Sequence, residues 1–346
     1  MVKIAVIGAG VNGLTCAVKI KEKYKDLDVV LISSEFSPST TGDGSGGLWY
    51  PYLCGDTPYN LIEKWGGETY QFLYEQWKAG GYGVCMMPIY NLFRTKEKFC
   101  KPPWAHKVFG YHVLSNKELE DYNQLFSGKY TAGQTFTTFT SSPPLLLAYL
   151  LQRFRKGNGK VLQAKLTSLQ DPLLDPYDVV VNCTGIGARV LVPDDRVMPI
   201  RGQVIRVKAP WINQVVIDEE GGNYIIPNEQ TVVLGGTHQN DFSTEIDPKD
   251  TDFILNGCKK MMPSLELPLH LPTLSRAEIV KYWAGLRPSR DPLRLEPEEK
   301  NGKLYIHNYG HGGSGFTLFW GCGNEVVQIL QAYLNKNHKL YRNSKL

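Results

Sequence analysis

Gly8-Ala9-Gly10-Val11-Asn12-Gly13 sets three glycines in the spacing Gly-x-Gly-x-x-Gly, directly after the apolar run Lys3-Ile4-Ala5-Val6-Ile7. Leu14 to Tyr24 reads as a helix, and Asp28-Val29-Val30-Leu31-Ile32 as a second apolar strand. A doubly buried strand, a glycine turn, a helix and a strand make a βαβ frame of about thirty residues. Such a frame binds a pyrophosphate at a helix N-terminus. Gly8 permits the tight turn, Gly10 lets the backbone approach the phosphates, and Gly13 lets helix and strand pack closely. Ala9, Val11 and Asn12 share that turn and are candidates for the same contact.

The second strand ends in Ser33-Ser34-Glu35, where the fold usually places the acid that holds ribose hydroxyls. Glu35 is the candidate and Ser34 a weaker hydrogen-bonding substitute, although Glu35 also reads as a solvated loop carboxylate. An acid there disfavours a 2′-phosphate, which leaves FAD or NAD and counts against NADP. The run Ser39-Thr40-Thr41-Gly42-Asp43-Gly44-Ser45-Gly46-Gly47 is too rich in small and hydroxyl residues for a packed element. It suits a loop around a large flat ligand, with Thr40 and Thr41 donating to phosphate oxygens. The adjoining Leu48-Trp49-Tyr50-Pro51-Tyr52 needs burial.

Around these residues the pattern predicts a helix over 60–79, strands over 85–93 and 107–114, and a helix over 143–155 opened by Pro143-Pro144. Val161–Leu169 reads as a strand, and Asp178–Gly185 as a buried strand running into a glycine turn. Residues 201–207 and 223–236 alternate as strands do. Leu286-Arg287-Pro288-Ser289-Arg290-Asp291 reads as a proline-bounded charged turn. Leu304–Tyr309 is a strand, followed by Gly310–Thr317 and a helix from about Leu318 to Leu334. This second strand, glycine turn and helix offers another set of backbone donors to an electron-rich ligand edge.

Composition narrows the class. Lys and Arg exceed Asp and Glu by only four, with no basic run interleaved with aromatics, so nucleic-acid binding is not expected. No apolar stretch approaches the roughly 20 residues of a spanning helix, so no membrane partner is expected. The seven cysteines form no Cys-x-x-Cys pair, which argues against a metal site or a disulfide framework and fits a reducing compartment. The first residues show no secretory leader pattern, so secretion is not expected. The fold class expected is α/β. A Rossmann-like FAD-binding domain (1–52, 143–200 and 300–340) carries an inserted mixed-sheet substrate-binding lobe (53–142 and 201–299).

Taken together, these motifs resemble the D-amino-acid oxidase and D-aspartate oxidase family of peroxisomal flavoenzymes. The resemblance rests on Val6-Ile7-Gly8-Ala9-Gly10-Val11, Thr40-Thr41, Gly47-Leu48-Trp49, Tyr90-Asn91-Leu92-Phe93 and Asn182-Cys183-Thr184-Gly185. It continues through Arg201-Gly202-Gln203, Tyr224-Ile225-Ile226-Pro227, Leu234-Gly235-Gly236, Leu286-Arg287-Pro288 and His307-Asn308-Tyr309-Gly310-His311-Gly312-Gly313. It implies noncovalent FAD with its pyrophosphate at Gly8–Gly13. Thr40, Thr41, Gly47 and Leu48 would line the flavin or pyrophosphate, Gly312, Gly313 and Thr317 the isoalloxazine edge, and the Leu166 backbone the adenine side. Where members often carry Asp, this chain has Ser34, a weaker hold on the ribose.

The family's chemistry is hydride transfer from the substrate Cα to flavin N5, release of an imino acid that hydrolyses, and reoxidation by O₂ to H₂O₂. The flavin carries the reaction, so no catalytic side chain is expected. By resemblance Arg287 would grip the substrate α-carboxylate through its planar fork, and Tyr224 would hydrogen-bond it; Tyr52 joins the substrate set. Spacing alone makes Arg287 a surface arginine beside Asp291. His238 stands where the aspartate-specific branch tends to carry Arg, and Ser314 where the neutral branch often carries a bulky Tyr. Both lean toward acidic D-amino acids such as D-aspartate and D-glutamate. Gly47-Leu48-Trp49 and Tyr90-Asn91-Leu92-Phe93, which look more like the neutral branch, and the nearness of Glu219 and Glu220 to a candidate lid at 216–223 point the other way, to D-alanine or D-proline. His238 also reads as a packed strand residue. An amine oxidase of the glycine or sarcosine type is the rival on the same fold. Ser344-Lys345-Leu346 reads as the address recognised by the peroxisomal import receptor, which places the protein in the peroxisome matrix. A homodimer is the assembly considered.

Overall fold

Ile4, Ala5, Val6 and Ile7 are almost fully shielded from solvent, as are Val29 to Ile32, so both runs form strands covered on each face. The structure, a computed structural model, describes residues 2–81, 83–126, 128–265 and 277–343. In it these runs are β1 (Lys3–Ile7) and β2 (Asp28–Ser33), parallel and joined by α1 (Val11–Lys23). The further strands are β3 (Val84–Phe93), β4 (Phe109–Val113), β5 (Ala132–Ser141), β6 (Lys160–Gln163), β7 (Val179–Asn182) and β8 (Met198–Lys208). They continue with β9 (Val215–Asp218), β10 (Asn223–Pro227), β11 (Val232–Gly235), β12 (Glu278–Lys300) and β13 (Lys303–His311). The further helices are α2 (Tyr59–Lys78), α3 (Asn116–Phe126), α4 (Pro143–Lys156), α5 (Ala188–Leu191), α6 (Pro248–Met261) and α7 (Gly315–Asn343).

All these strands join one mixed sheet in the order β4-β5-β3-β9-β10-β11-β8-β12-β13-β7-β1-β2-β6. The expected α/β class is therefore what the chain adopts. At one end β13, β7, β1, β2 and β6 run parallel, and their residues fall within 1–52, 143–200 and 300–340. Helix α1 packs on α4 and α7, and α2 on α7. Leu14, Ala17 and Val18 meet Phe154, Phe319 and Val326 in the largest apolar core. On the other side of the sheet, β8, β11, β10 and β9 form an antiparallel group, and α6 packs over β8, β10 and β11.

Strand β12 joins the two halves. Its first part pairs with β8, ending at Ser289↔Met198, and its second part pairs with β13 from Arg294↔Tyr309 onward. Leu286–Asp291, expected as a turn, is therefore extended mid-strand. Leu286–Ser289 pair with β8 and Ser289 also with His311 of β13, while the register break between Ser289 and Arg294, which takes in Arg290 and Asp291, answers to the proline and charge signal. A second difference lies at 161–169. Strand β6 ends at Gln163, and Leu166 and Leu169 instead pack against Ala5, Ile7, Val30 and Ile32. Burial of their side chains, not ladder pairing, explains their apolar character. Ser344-Lys345-Leu346 lies outside the described residues.

Candidate active site

The glycine turn between β1 and α1 admits nothing larger. Gly8 has φ +101°, and a Cβ there would stand 2.5 Å from the Cys183 carbonyl oxygen. A Cβ on Gly13 would stand 1.8 Å from the Gly8 carbonyl oxygen, so the helix can seat on the turn only without a side chain. Gly10, the N-cap of α1, has open space where its Cβ would be. Its turn leaves the α1 N-terminus exposed to an anion. Ser33 ties this turn to the end of β2. Its Oγ accepts from the Ala9 N–H at 3.1 Å and donates to the Glu35 carbonyl at 2.7 Å.

The loop after β2 is held from both sides. The buried Asp43 carboxylate accepts from the Thr40 N–H at 2.9 Å and from the Thr40 hydroxyl at 2.7 Å. Thr40 therefore spends its hydroxyl on the loop's own cap. Arg206 on β8 donates to the Ser45 carbonyl at 2.8 Å, and the Asn228 amide donates to the Gly46 carbonyl at 2.9 Å. Past the loop, Trp49 is fully buried and donates to the Gly66 carbonyl on α2 at 2.9 Å.

A cavity of about 680 Å³ runs along this arrangement. Of the residues singled out from sequence, Gly8, Ala9, Gly10, Val11, Asn12, Ser34, Glu35, Thr40, Thr41, Gly47, Leu48, Gly312 and Gly313 line it. So do Tyr52, Tyr224, His238 and Arg287. The four others do not. Gly13 lies beneath the turn. Leu166 packs into the core beside β1 and β2. Thr317 accepts from the Tyr50 N–H at 3.1 Å and donates to the Tyr50 carbonyl at 2.8 Å. Ser314 does the same to Tyr52, accepting and donating at 2.7 Å, and is wholly buried. The extra room that Ser314 was expected to leave beside a substrate is not there, because its side chain points into the Tyr52 backbone. These two hydroxyls clamp the Tyr50–Tyr52 segment onto the start of α7.

At the inner end the sheet is hollowed by glycines. A Cβ on Gly202 would lie 2.2 Å from Arg287 Nη1, and one on Gly235 would lie 2.1 Å from the Tyr224 ring. The guanidinium of Arg287 and the ring of Tyr224 thus rest directly on bare backbone of β8 and β11. Arg287 Nη1 donates to the Thr237 carbonyl at 3.0 Å, which fixes the fork. Burial raises the Tyr52 phenol above its ordinary pKa, Arg287 opposes that rise, and Tyr224 and Glu219 add to it. All four groups therefore surround one small volume. Glu219 lines the cavity here; it accepts from the Tyr50 hydroxyl at 3.0 Å, and burial raises its carboxyl pKa. His238 is exposed at the rim.

The sequence profile of a family described as FAD dependent oxidoreductase (DAO) matches residues 3–329. A D-amino acid oxidase of Dugesia ryukyuensis is 37% identical over 96% of this chain and 98% of its own length. A D-aspartate oxidase of Homo sapiens is 33% identical over 95% and 94%. The chain belongs to the D-amino-acid oxidase family of FAD dependent oxidoreductases. A crystal structure of glycine oxidase from Bacillus cereus superposes with a TM-score of 0.74 over 96% of each chain at 17% identity, a likeness of fold alone.

The family's cofactor is FAD, and the cavity fits it. Asn12 Oδ1, Ser45 Oγ, Asn308 Oδ1 and His311 Nε2 are buried without a protein partner, and all four residues line the cavity. Such atoms stay unsatisfied unless a polar ligand meets them. Residues Gly8–Asn12 and the α1 N-terminus suit the pyrophosphate, Ser33–Glu35 the ribose, and Gly47, Leu48, Gly312 and Gly313 the ring system. Sequence reasoning missed Ser33, Ser45, Asn308, His311 and Trp283, each a lining residue. Asn308 and His311 stand inside the motif quoted for the family and carried a legible polar signal. Ser45 stands within the hydroxyl-rich loop read as wrapping a ligand; Trp283 carried no signal, because only the fold brings β12 over that loop, where Gly44 faces the Trp283 ring.

Proposed function

We propose that this oxidoreductase oxidises a D-amino acid at Cα, yielding a 2-oxo acid, ammonia and H₂O₂. The observation that carries it is the pairing of Arg287 and Tyr224 on glycine-hollowed sheet, at the end of the cavity that continues to the flavin cradle. FAD, when bound, supplies the hydride acceptor at N5 and a route for the electrons to O₂. The residues do the rest by position. Arg287 offers two parallel N–H donors to both oxygens of an α-carboxylate. Tyr52, whose pKa burial raises, stays protonated and can donate to the same group. Val204, Ile217, Ile226 and Trp283 wall the space and exclude water. Holding carboxylate and Cα in one orientation is the protein's contribution to rate and to choice of enantiomer.

The names of the relatives in Dugesia ryukyuensis and Homo sapiens support this reading over a glycine-oxidase-like activity, for which the support is fold likeness alone. The lean toward acidic substrates loses both its supports. His238 is an exposed rim residue, Ser314 faces away, and Glu219 sets a carboxylate in the lining, where a second carboxylate would be repelled. We therefore favour substrates without an acidic side chain.

A peroxide assay over both enantiomers of alanine, proline, lysine and aspartate tests the proposal. Turnover confined to D-forms supports it; turnover of L-forms or of glycine alone rejects it. Import into the peroxisome matrix through Ser344-Lys345-Leu346, and pairing into a homodimer, belong to the same proposal. A fluorescent fusion with and without the tripeptide checks the first, and sedimentation mass checks the second.

A further inference from the structure

Three carboxylates stand in a row at the β9–β10 turn, and they do not share a fate. Asp218 pairs with Arg94 and also accepts from the Gly221 N–H at 2.8 Å. Glu220 accepts from the Arg94 N–H at 2.6 Å and faces Lys98 at 3.8 Å. Glu219, between them, lines the cavity, as Asp218 does, but meets a tyrosine hydroxyl there instead of a cation. Among the described residues no Lys, Arg or His lies within 4.0 Å of its carboxylate, whereas both neighbours have one.

What meets Glu219 is a relay of neutral donors. Asn91 on β3 is fully buried; its amide donates to the Tyr50 hydroxyl at 2.6 Å, which donates to Glu219 Oε1 at 3.0 Å. The relay presupposes a carboxylate able to accept, because an oriented hydroxyl is wasted on an apolar wall. The other atom of the Asn91 amide, Oδ1, is buried without a partner. Glu219 thus lines the cavity with no cationic donor among the described residues. Arg287 lines the same cavity.

We propose that Glu219 receives a positively charged substrate side chain, so that the favoured substrates are D-amino acids ending in an ammonium or guanidinium group. The inference rests on the oxidation of D-amino acids proposed above. A substrate of this class would set its α-carboxylate on Arg287 and its distal cation on Glu219, satisfying opposite charges at both ends. An ammonium brings three donors and a guanidinium five, enough for both oxygens of the Glu219 carboxylate. Burial that raises the Glu219 pKa when the site holds no cation is offset once one arrives.

The test compares D-lysine with D-norleucine, which has the same chain length without the charge, in the flavin-loaded enzyme and in Glu219→Gln. We expect kcat/KM for D-lysine to exceed that for D-norleucine by roughly tenfold or more, as a charge-assisted hydrogen bond would give. In Glu219→Gln, which keeps the shape and can still accept from Tyr50, that ratio falls to about one. A ratio near one in the unaltered enzyme, or a ratio unchanged by the substitution, overturns the inference while leaving D-amino-acid oxidation in place. The second result would mean that Glu219 acts on a group common to all substrates. No turnover of any D-amino acid, D-alanine included, brings down both. The comparison in the unaltered enzyme decides the matter even if the variant does not fold.

Discussion

At the scale of single residues, Arg287 and His311 show how burial and partners set opposite duties. Arg287 keeps its fork free of acids and anchored by one backbone carbonyl. Arg287→Ala should retain flavin absorbance yet lose roughly 10²–10³-fold in kcat/KM, mainly through KM, as removal of one partner of a charged pair does. Steady-state kinetics beside a flavin spectrum checks this, and near-normal KM would discard the clamp. His311 is buried, and burial lowers its pKa from 6.5 to about 4. A histidine with a lowered folded pKa stays neutral in the native state while the unfolded chain takes up a proton below about 6.5. Stability is then lost as pH falls from about 6.5 toward 4, by up to about 3 kcal/mol. His311→Asn should flatten that part of the stability-against-pH curve, read from urea midpoints. An unchanged slope would mean that other groups carry it.

At the scale of elements, short strands and turns act as seats for side chains. On β8, Gly202 leaves the space in which the Arg287 guanidinium rests. Gly202→Ala meets only the far end of a flexible side chain, so it should cost little stability but should displace the fork. We expect a raised KM with an unchanged melting temperature, checked by kinetics and thermal unfolding on one sample. The start of α7 works differently. Ser314 and Thr317 bind backbone of Tyr52 and Tyr50, so Ser314→Ala should remove both hydrogen bonds to Tyr52 and the one shared with Cys54 Sγ, and cost about 1–3 kcal/mol. Its signature would be a lower melting temperature, with the ratio of D-lysine to D-norleucine turnover preserved. Glycines in β8 and β11 were visible in the sequence as family motifs. Their physical purpose was not: the Arg287 side chain over Gly202 comes from β12, distant in the chain, and the Tyr224 ring meets Gly235 only once β10 and β11 pair.

At the scale of the whole molecule, β12 carries the sheet from the parallel flavin-side strands to the antiparallel group and sets Arg287 between them. The cavity draws on both halves, so binding of FAD to the folded chain should stabilise the whole. Adding FAD to the deflavinated protein at about a hundred times its dissociation constant should contribute about 2.7 kcal/mol. Melting temperatures that rise with the logarithm of FAD concentration would show it; a concentration-independent transition would separate the cradle from the stability of the fold.

The chain order alone determined the parts whose signals are local. Apolar runs over Ile4–Ile7 and Val29–Ile32 need cover on both faces, and a glycine turn between the first run and its helix admits a phosphate. Those facts dictate a βαβ frame wherever they occur. Tertiary structure decided everything that depends on which residues meet. It turned Leu286–Asp291 from an apparent turn into mid-strand, because pairing of Leu286–Ser289 with β8 holds the run in the sheet. It also turned Ser314 toward backbone, left His238 at the rim, and set Glu219 in the cavity lining without a cation while Arg94 and Lys98 met its neighbours. Three consecutive acids look alike in the sequence, and only packing decides which meet Arg94 and Lys98 and which is left in the cavity lining without a cation.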